Sequence, residues 1–165
     1  MKVLGIDPGT IIMGYGVIES LEANITLITF GTLKPSKRSP VAERLNFLFL
    51  ELIKLVKKYR PEVIAVEQPF VARNPRSALA VGQAQAVAFL ASANQGIPCF
   101  EYTPAEVKQR VANYGASSKE QIQQMVMLQL GLSHIPQPDD AADSLAVALC
   151  HLQSAHLQEL LKQNP

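Results

Sequence analysis

Four carboxylates occupy positions where a buried domain tolerates charge only if something compensates it. Asp7 follows the apolar run Val3-Leu4-Gly5-Ile6, and Glu67 follows Val63-Ile64-Ala65-Val66. A charge at the end of a buried strand loses its hydration unless it is paired or holds a metal. Asp140 and Asp143 lie three apart at the head of an apolar stretch, a spacing that turns both side chains to one face of a helix. Each acid also has a plainer explanation. Pro8-Gly9 makes Asp7 a natural turn residue, Glu67 could be a loop glutamate, and a first helical turn favours acids through its dipole. Taken together they form an oxygen-only donor set, which suits Mg²⁺ or Mn²⁺ rather than zinc. Two such ions about 4 Å apart activate water and stabilise the leaving oxygen in phosphodiester hydrolysis. Without a cation, carboxylates packed this closely raise one another's pKa. Asp139, next to the pair, reads as a cap or surface residue.

Competing chemistries are poorly supported. His134, His151 and His156 do not fall at a zinc spacing. No GxxxxGK[ST] loop is present, and Gly14-Tyr15-Gly16 lacks the remaining glycines of a dinucleotide fold. Cys99 and Cys150 make neither a disulfide framework nor a CxxC knuckle, so a reducing, cytoplasmic setting is expected. No run approaches the ~20 apolar residues of a membrane span. The net charge is only +1, but it is unevenly spread. Residues 1–60 carry nine Lys/Arg against five Asp/Glu, and residues 121–165 carry one against four. The basic segment between Lys34 and Arg60 would suit a polyanion, and it would equally suit a solvated helix face.

The elements that must position these acids follow from pattern. The runs at 3–6, 14–18 and 24–32, joined by short connections, predict an antiparallel meander. Apolar residues from Val41 recur at helical period and stop before Pro61. The run 63–66 reads as a buried parallel strand. Asn74-Pro75 predicts a helix start, and the helix to 94 is rich in Ala and Gly, which permits close approach by a neighbour. A strand is expected at 98–102, a short helix from Thr103-Pro104 to Arg110, and another from Ser117 or Ser118 to Leu130. The last helix starts at Asp139 or Asp140. Strands first, then alternating helix and strand, give an α/β domain with a mixed sheet. With 165 residues and 48% hydrophobic content, one domain over 1–158 is expected, with 159–165 as a flexible tail.

Five segments carry a family resemblance. They are GIDPGTIIMGYGVIE at 5–19, ERL at 43–45, AVEQPFVARNPRSALAVGQAQAV at 65–87, FEYTPAEVKQRVANYGASSKEQIQQMV at 100–126 and DDAADSLAVALCH at 139–151. In this order and spacing the chain resembles, over essentially its whole length, the RuvC-type bacterial Holliday junction resolvases. That resemblance implies a ribonuclease-H-like fold with a mixed five-stranded sheet flanked by helices. It also implies a homodimer and Mg²⁺-dependent, paired nicking of four-way DNA junctions, leaving 5′-phosphate and 3′-hydroxyl ends. Two ions per site are implied, with Mn²⁺ as a plausible substitute.

The family's four acids match Asp7, Glu67, Asp140 and Asp143; some relatives carry histidine where this chain has Asp140. Phe70 matches the aromatic that stacks near the junction centre. Arg73 stands where the family usually has lysine, which keeps the charge but alters its geometry. Arg76, Lys108 and Lys119 complete the DNA-binding set that the resemblance implies, and the helix at 75–94 matches the dimer contact. A branch-migration helicase complex is the implied partner. Read without the family, Lys108 and Lys119 are flanked by Glu106 and Glu120, so surface ion pairing explains them as well. Phe70 could be a core plug. Three rival classes remain: an actin-like phosphotransferase, a related nuclease acting on RNA, and a DNA-binding module without activity. The first needs a second phosphate loop and domain that this length cannot supply, and the retained acids speak against the last.

Overall fold

The computed structural model describes residues 1–22, 24–68 and 75–163. Among them, three strands form the expected meander: β1 (Lys2–Asp7), β2 (Met13–Leu21) and β3 (Asn24–Leu33). Both pairings are antiparallel, with a register shift between Val17 and Ile18. Helix α1 (Val41–Tyr59) then leads to β4 (Val63–Glu67), and α2 (Pro75–Gln95) leads to β5 (Cys99–Tyr102). Three helices close the chain: α3 (Pro104–Ala112), α4 (Lys119–Gln129) and α5 (Asp139–Gln163). The sheet order is β3-β2-β1-β4-β5, with β4 parallel to both β1 and β5.

Helix ends sit where the side chains dictate. Arg60 closes α1 in the left-handed conformation (φ 50°), its backbone N–H donating to the Val56 carbonyl, and Pro61 bars continuation. Thr103 and Glu106 form a capping box at α3, and Ser118 and Gln121 form one at α4. The expected cap Asn74 lies outside the described residues. Two elements run further than pattern alone indicated. Strand β2 extends to Leu21 because β3 pairs along its whole length. Helix α5 continues to Gln163, with residues 156–162 exposed. No helix among the described residues is long and apolar enough to cross a membrane.

Strand alternation sorts the side chains onto two faces. Leu4, Ile6, Ile64 and Val66 pack with Leu48 and Leu52 of α1 and with Ala84, Val87 and Ala88 of α2. Val3, Ile18, Val63 and Ala65 pack with Leu145, Val147 and Leu149 of α5 and with Val107 and Val126 of α3 and α4. The sheet is therefore the middle of three layers, and α5 crosses its centre. Since Leu149 is fully buried, Leu149→Ala is expected to cost about 2–5 kcal/mol. Leu161→Ala, at a position 65% exposed on the same helix, should stay within about 0.5 kcal/mol of the parent. Urea denaturation of the two variants checks both values.

Candidate active site

The strand periodicity that buries Val3 and Val63 also places Asp7 and Glu67. Ile6 and Val66 are partners across the parallel β1–β4 pair, so the two acids follow side by side at the carboxyl ends of central strands. Counting by twos from Val3 and Val63 puts both on the α5 face. Ligand sites of open α/β sheets lie at such strand ends. Helix α5 begins directly above them, with Ala141 and Ala142 buried and Asp140 and Asp143 half-buried. Around the loop that follows Asp7, Arg44 Nη1 donates to the Thr10 carbonyl at 3.2 Å, tying that turn to α1. Beyond Glu67, the Gln68 N–H donates to the Tyr102 carbonyl at 2.8 Å, fixing the exit of β4.

The electrostatics record how crowded this corner is. Burial, reinforced by the charges of Glu67, Asp143 and Asp140, pushes the Asp7 carboxyl up to about 8. Burial and then Asp143 raise Glu67 to about 7, with Lys119 and Lys108 opposing. Asp143 is also raised by burial, and Lys119 offsets part of the rise. The mutual repulsion expected from the sequence is present, and desolvation is the larger cause.

Lys119 resolves one ambiguity. It reaches from the start of α4 to the first turn of α5, donating to Asp143 Oδ2 at 2.9 Å and lying 3.4 Å from Asp139 Oδ2. Burial works against its charge, but the bond to Asp143 prevails and raises it. Its ion-pair partners are therefore Asp143 of the site and the adjacent Asp139, rather than the neighbouring Glu120. Glu106 likewise bonds to Thr103 in the α3 cap, while Lys108 faces the site. Asp139 corrects the sequence-based expectation in part. It is exposed, as expected of a cap or surface residue, yet it shares the ammonium that Asp143 holds. Glu67, Lys108, Lys119, Ile122, Asp143 and Ala146 line a cavity of about 260 Å³ between α3, α4 and α5. Phe70 and Arg73 lie outside the described residues, and Arg76 is exposed in the first turn of α2.

The remaining candidates from the sequence lie elsewhere. His151 is buried, its Nδ1 2.8 Å from the Tyr102 hydroxyl, and His134 is exposed in a loop. Cys99 and Cys150 are free thiols. As a donor set, four carboxylates matched by one ammonium fit a divalent cation: the site already binds positive charge and its acids repel one another without it. Among the described residues, no three His, Cys, Asp or Glu side chains meet in a ready-made cage. With Asp143 bonded to Lys119, the carboxylates need a rearrangement of side chains to share an ion.

Sheet order, helix placement and an acidic strand-end site define a nuclease of the ribonuclease-H-like class. The family model for crossover junction endodeoxyribonuclease RuvC matches residues 3–151, and the chain belongs to that family. It is 49% identical over 163 residues to RuvC of Dehalococcoides mccartyi, covering 99% of this chain and 98% of that one. RuvC of Chloroflexus aurantiacus is 49% identical over 155 residues, covering 94% of each. Among solved structures, T. thermophilus RuvC in complex with Holliday junction substrate superposes with a TM-score of 0.91 at 35% identity, covering 96% of each chain. The yeast mitochondrial resolvase Ydc2, at 19% identity and a TM-score of 0.66, covering 98% of this chain and 85% of that one, shares the fold.

The raised carboxyls set a pH dependence of stability. Asp7 and Glu67 keep their protons up to about 8 and about 7 when folded, against ordinary values of 3.8 and 4.5. Between those limits the folded chain binds more protons than the unfolded one, so stability is fullest at the acid end and falls as pH rises. Without divalent ions, the thermal midpoint should therefore fall from about pH 4 to about pH 8 on account of this pair. Asp7→Asn should flatten that fall and raise the midpoint at pH 8. Calorimetry at several pH values checks this, and an unchanged midpoint in the variant would contradict it.

Proposed function

We propose that this protein resolves four-way DNA junctions by paired hydrolysis of phosphodiester bonds in two strands, with Asp7, Glu67, Asp140 and Asp143 as its metal-holding and catalytic residues. The observation that carries the proposal is one acidic corner: the charges of Glu67, Asp143 and Asp140 all act on the buried Asp7, while Glu67 and Asp143 line one cavity with Lys108 and Lys119. The close likeness to a RuvC solved with its junction substrate supports the substrate. Oxygen-only ligands favour Mg²⁺, with Mn²⁺ as a substitute and two ions per site. A divalent ion held there would supply water activation and charge stabilisation at the leaving oxygen.

The chain's own residues do the rest. Paired strand ends and the first turn of α5 bring the four carboxylates to one corner of the sheet, from which side-chain rotation would let them share an ion. Lys119 donates to Asp143; were that carboxylate to hold a cation, the ammonium would be available to a phosphate oxygen. Lys108, on the same cavity, serves the backbone with it, while Arg76 in the first turn of α2 extends the DNA contact, together with Phe70 and Arg73 by their match to the family's sequence pattern. Such contacts fix register on the duplex arms and make binding salt-dependent. Residues 1–158 act as one nuclease domain, with 159–165 as an appended end. A cytoplasmic setting suits the free thiols.

The dimer is part of the proposal, because two strands must be cut. Helix α2 offers a face for it: Leu45 and Phe49 of α1 and Ala86, Val87 and Leu90 of α2 line an open, largely apolar cavity of about 620 Å³. Leu79 and Leu90 on that helix are 66% and 61% exposed. A patch of this kind on a soluble domain marks an interface. A branch-migration helicase complex is the expected further partner.

Incubation with a synthetic four-way junction, a linear duplex and an RNA–DNA hybrid, each with and without Mg²⁺, tests the activity. Paired nicks in the junction alone, and only with Mg²⁺, are expected; cleavage of the hybrid but not the junction would overturn the assignment. Asp7→Asn should abolish cutting and leave junction binding within a few-fold of the parent. For the interface, Leu90→Glu should shift the mass measured by light scattering from dimer to monomer. Loss of paired nicking should accompany that shift.

A further inference from the structure

Gly14 lies between two of the proposed metal-holding acids in a way the other glycines do not. In the β1–β2 register it is the direct partner of Asp7. On the α5 side, a Cβ at Gly14 would overlap the carbonyl oxygen of Asp140 and stand 2.5 Å from its carbonyl carbon. Both obstacles are backbone, so no rotamer change can relieve them. Gly5 and Gly16 also admit α5, but further along it: Gly5 faces the Ser144 carbonyl and Ala148, and Gly16 faces the side chain of Leu145. Those contacts seat the buried body of the helix. Gly14 alone meets the backbone of a residue that presents a carboxylate to the site.

We propose that Gly14 is a positioning residue for the cutting reaction: by lacking a side chain, it sets how near the first turn of α5 comes to Asp7, and so whether Asp7, Asp140 and Asp143 can hold one cation. This rests on the metal-site assignment above. The body of α5 is fixed by Leu145 and Leu149, both fully buried, so a Cβ at position 14 is accommodated at the helix start. The turn carrying Asp140 and Asp143 then lifts away from Asp7. A misplacement of about 1 Å at a reacting centre costs roughly 100-fold in rate.

The test compares Gly14→Ala with Gly16→Ala, whose added methyl meets the Leu145 side chain 2.5 Å away instead of the backbone of Asp140. Four quantities are read: thermal midpoint, Mn²⁺ affinity by calorimetry on the free protein, junction affinity, and Mg²⁺-dependent cutting of a four-way junction. Gly14→Ala should weaken Mn²⁺ binding by about tenfold or more and slow maximal cutting by roughly 100-fold, while junction affinity stays within a few-fold. Gly16→Ala should lower the midpoint but keep its Mn²⁺ affinity. Equal Mn²⁺ affinities in Gly14→Ala and the parent would overturn the proposal, as would parallel losses in both variants.

The Mn²⁺ measurement needs no DNA. A parent that binds Mn²⁺ but leaves the junction intact would thus defeat the resolvase assignment while still deciding the role of Gly14. Should Gly14→Ala fail to fold, Asp140→Glu in the native chain tests the same spacing. One added methylene should lower Mn²⁺ affinity about tenfold if the gap is tight, and unchanged affinity would mean that it is slack.

Discussion

Mutual repulsion among carboxylates, held at one corner of a sheet by everything around it, is the constraint on which this protein's arrangement depends. Left free, Asp7, Glu67, Asp140 and Asp143 would separate into water. The parallel pairing of β1 with β4 denies that to Asp7 and Glu67, because neighbouring strands in register end together. Helix α5 denies it to the other two, since its apolar body is locked against both central strands. The cost appears as carboxyls that keep their protons toward neutral pH, and burial contributes more to it than the repulsion itself. An acidic site of this type is thus a strained feature supported by ordinary core packing.

Much of the fold and half of the site's logic could be read from residue types. Strand-terminal acids after Val3–Ile6 and Val63–Val66 are visible because periodicity two and burial conflict with charge at one position. Asp140 and Asp143 are visible because three-residue spacing has one meaning on a helix. What escaped was contact between elements distant in sequence. Lys119 could be assigned to its neighbour Glu120 from the sequence, yet its partners are two acids on another helix. Arg44 carried no role until its guanidinium was found on the Thr10 carbonyl. Gly5, Gly14 and Gly16 carry no assigned role in the residue pattern, and only the path of α5 gives them a use. The word "junction" was never in the residue chemistry; it came from family likeness alone.

Lys119 also balances part of the negative charge at this corner. An ammonium bonded to Asp143 screens part of the cluster's charge, and Asp139 gives it a second hold outside the cluster. Were Asp143 engaged by a cation, Asp139 would still hold the ammonium. The lysine stays at the rim of the cavity that also contains Lys108. Positive charge is thus conserved at the place where a phosphodiester would enter. The modest net charge of the whole chain says little about this, because what matters is its concentration at one mouth.

Helix α5 has a consequence for synthesis as well as for chemistry. It is the last element of the described chain, yet it packs across β1 and β2, which are made first. Contacts between opposite ends of a chain form late and slowly. A ribosome-bound chain that has not yet exposed residues 139–149 possesses Asp7 and Glu67 but not their partners. Its sheet face lacks a cover and its acids cannot act together. Assembly order thus decides when the acidic corner is complete: the four carboxylates share one place only after α5 has docked on β1 and β2.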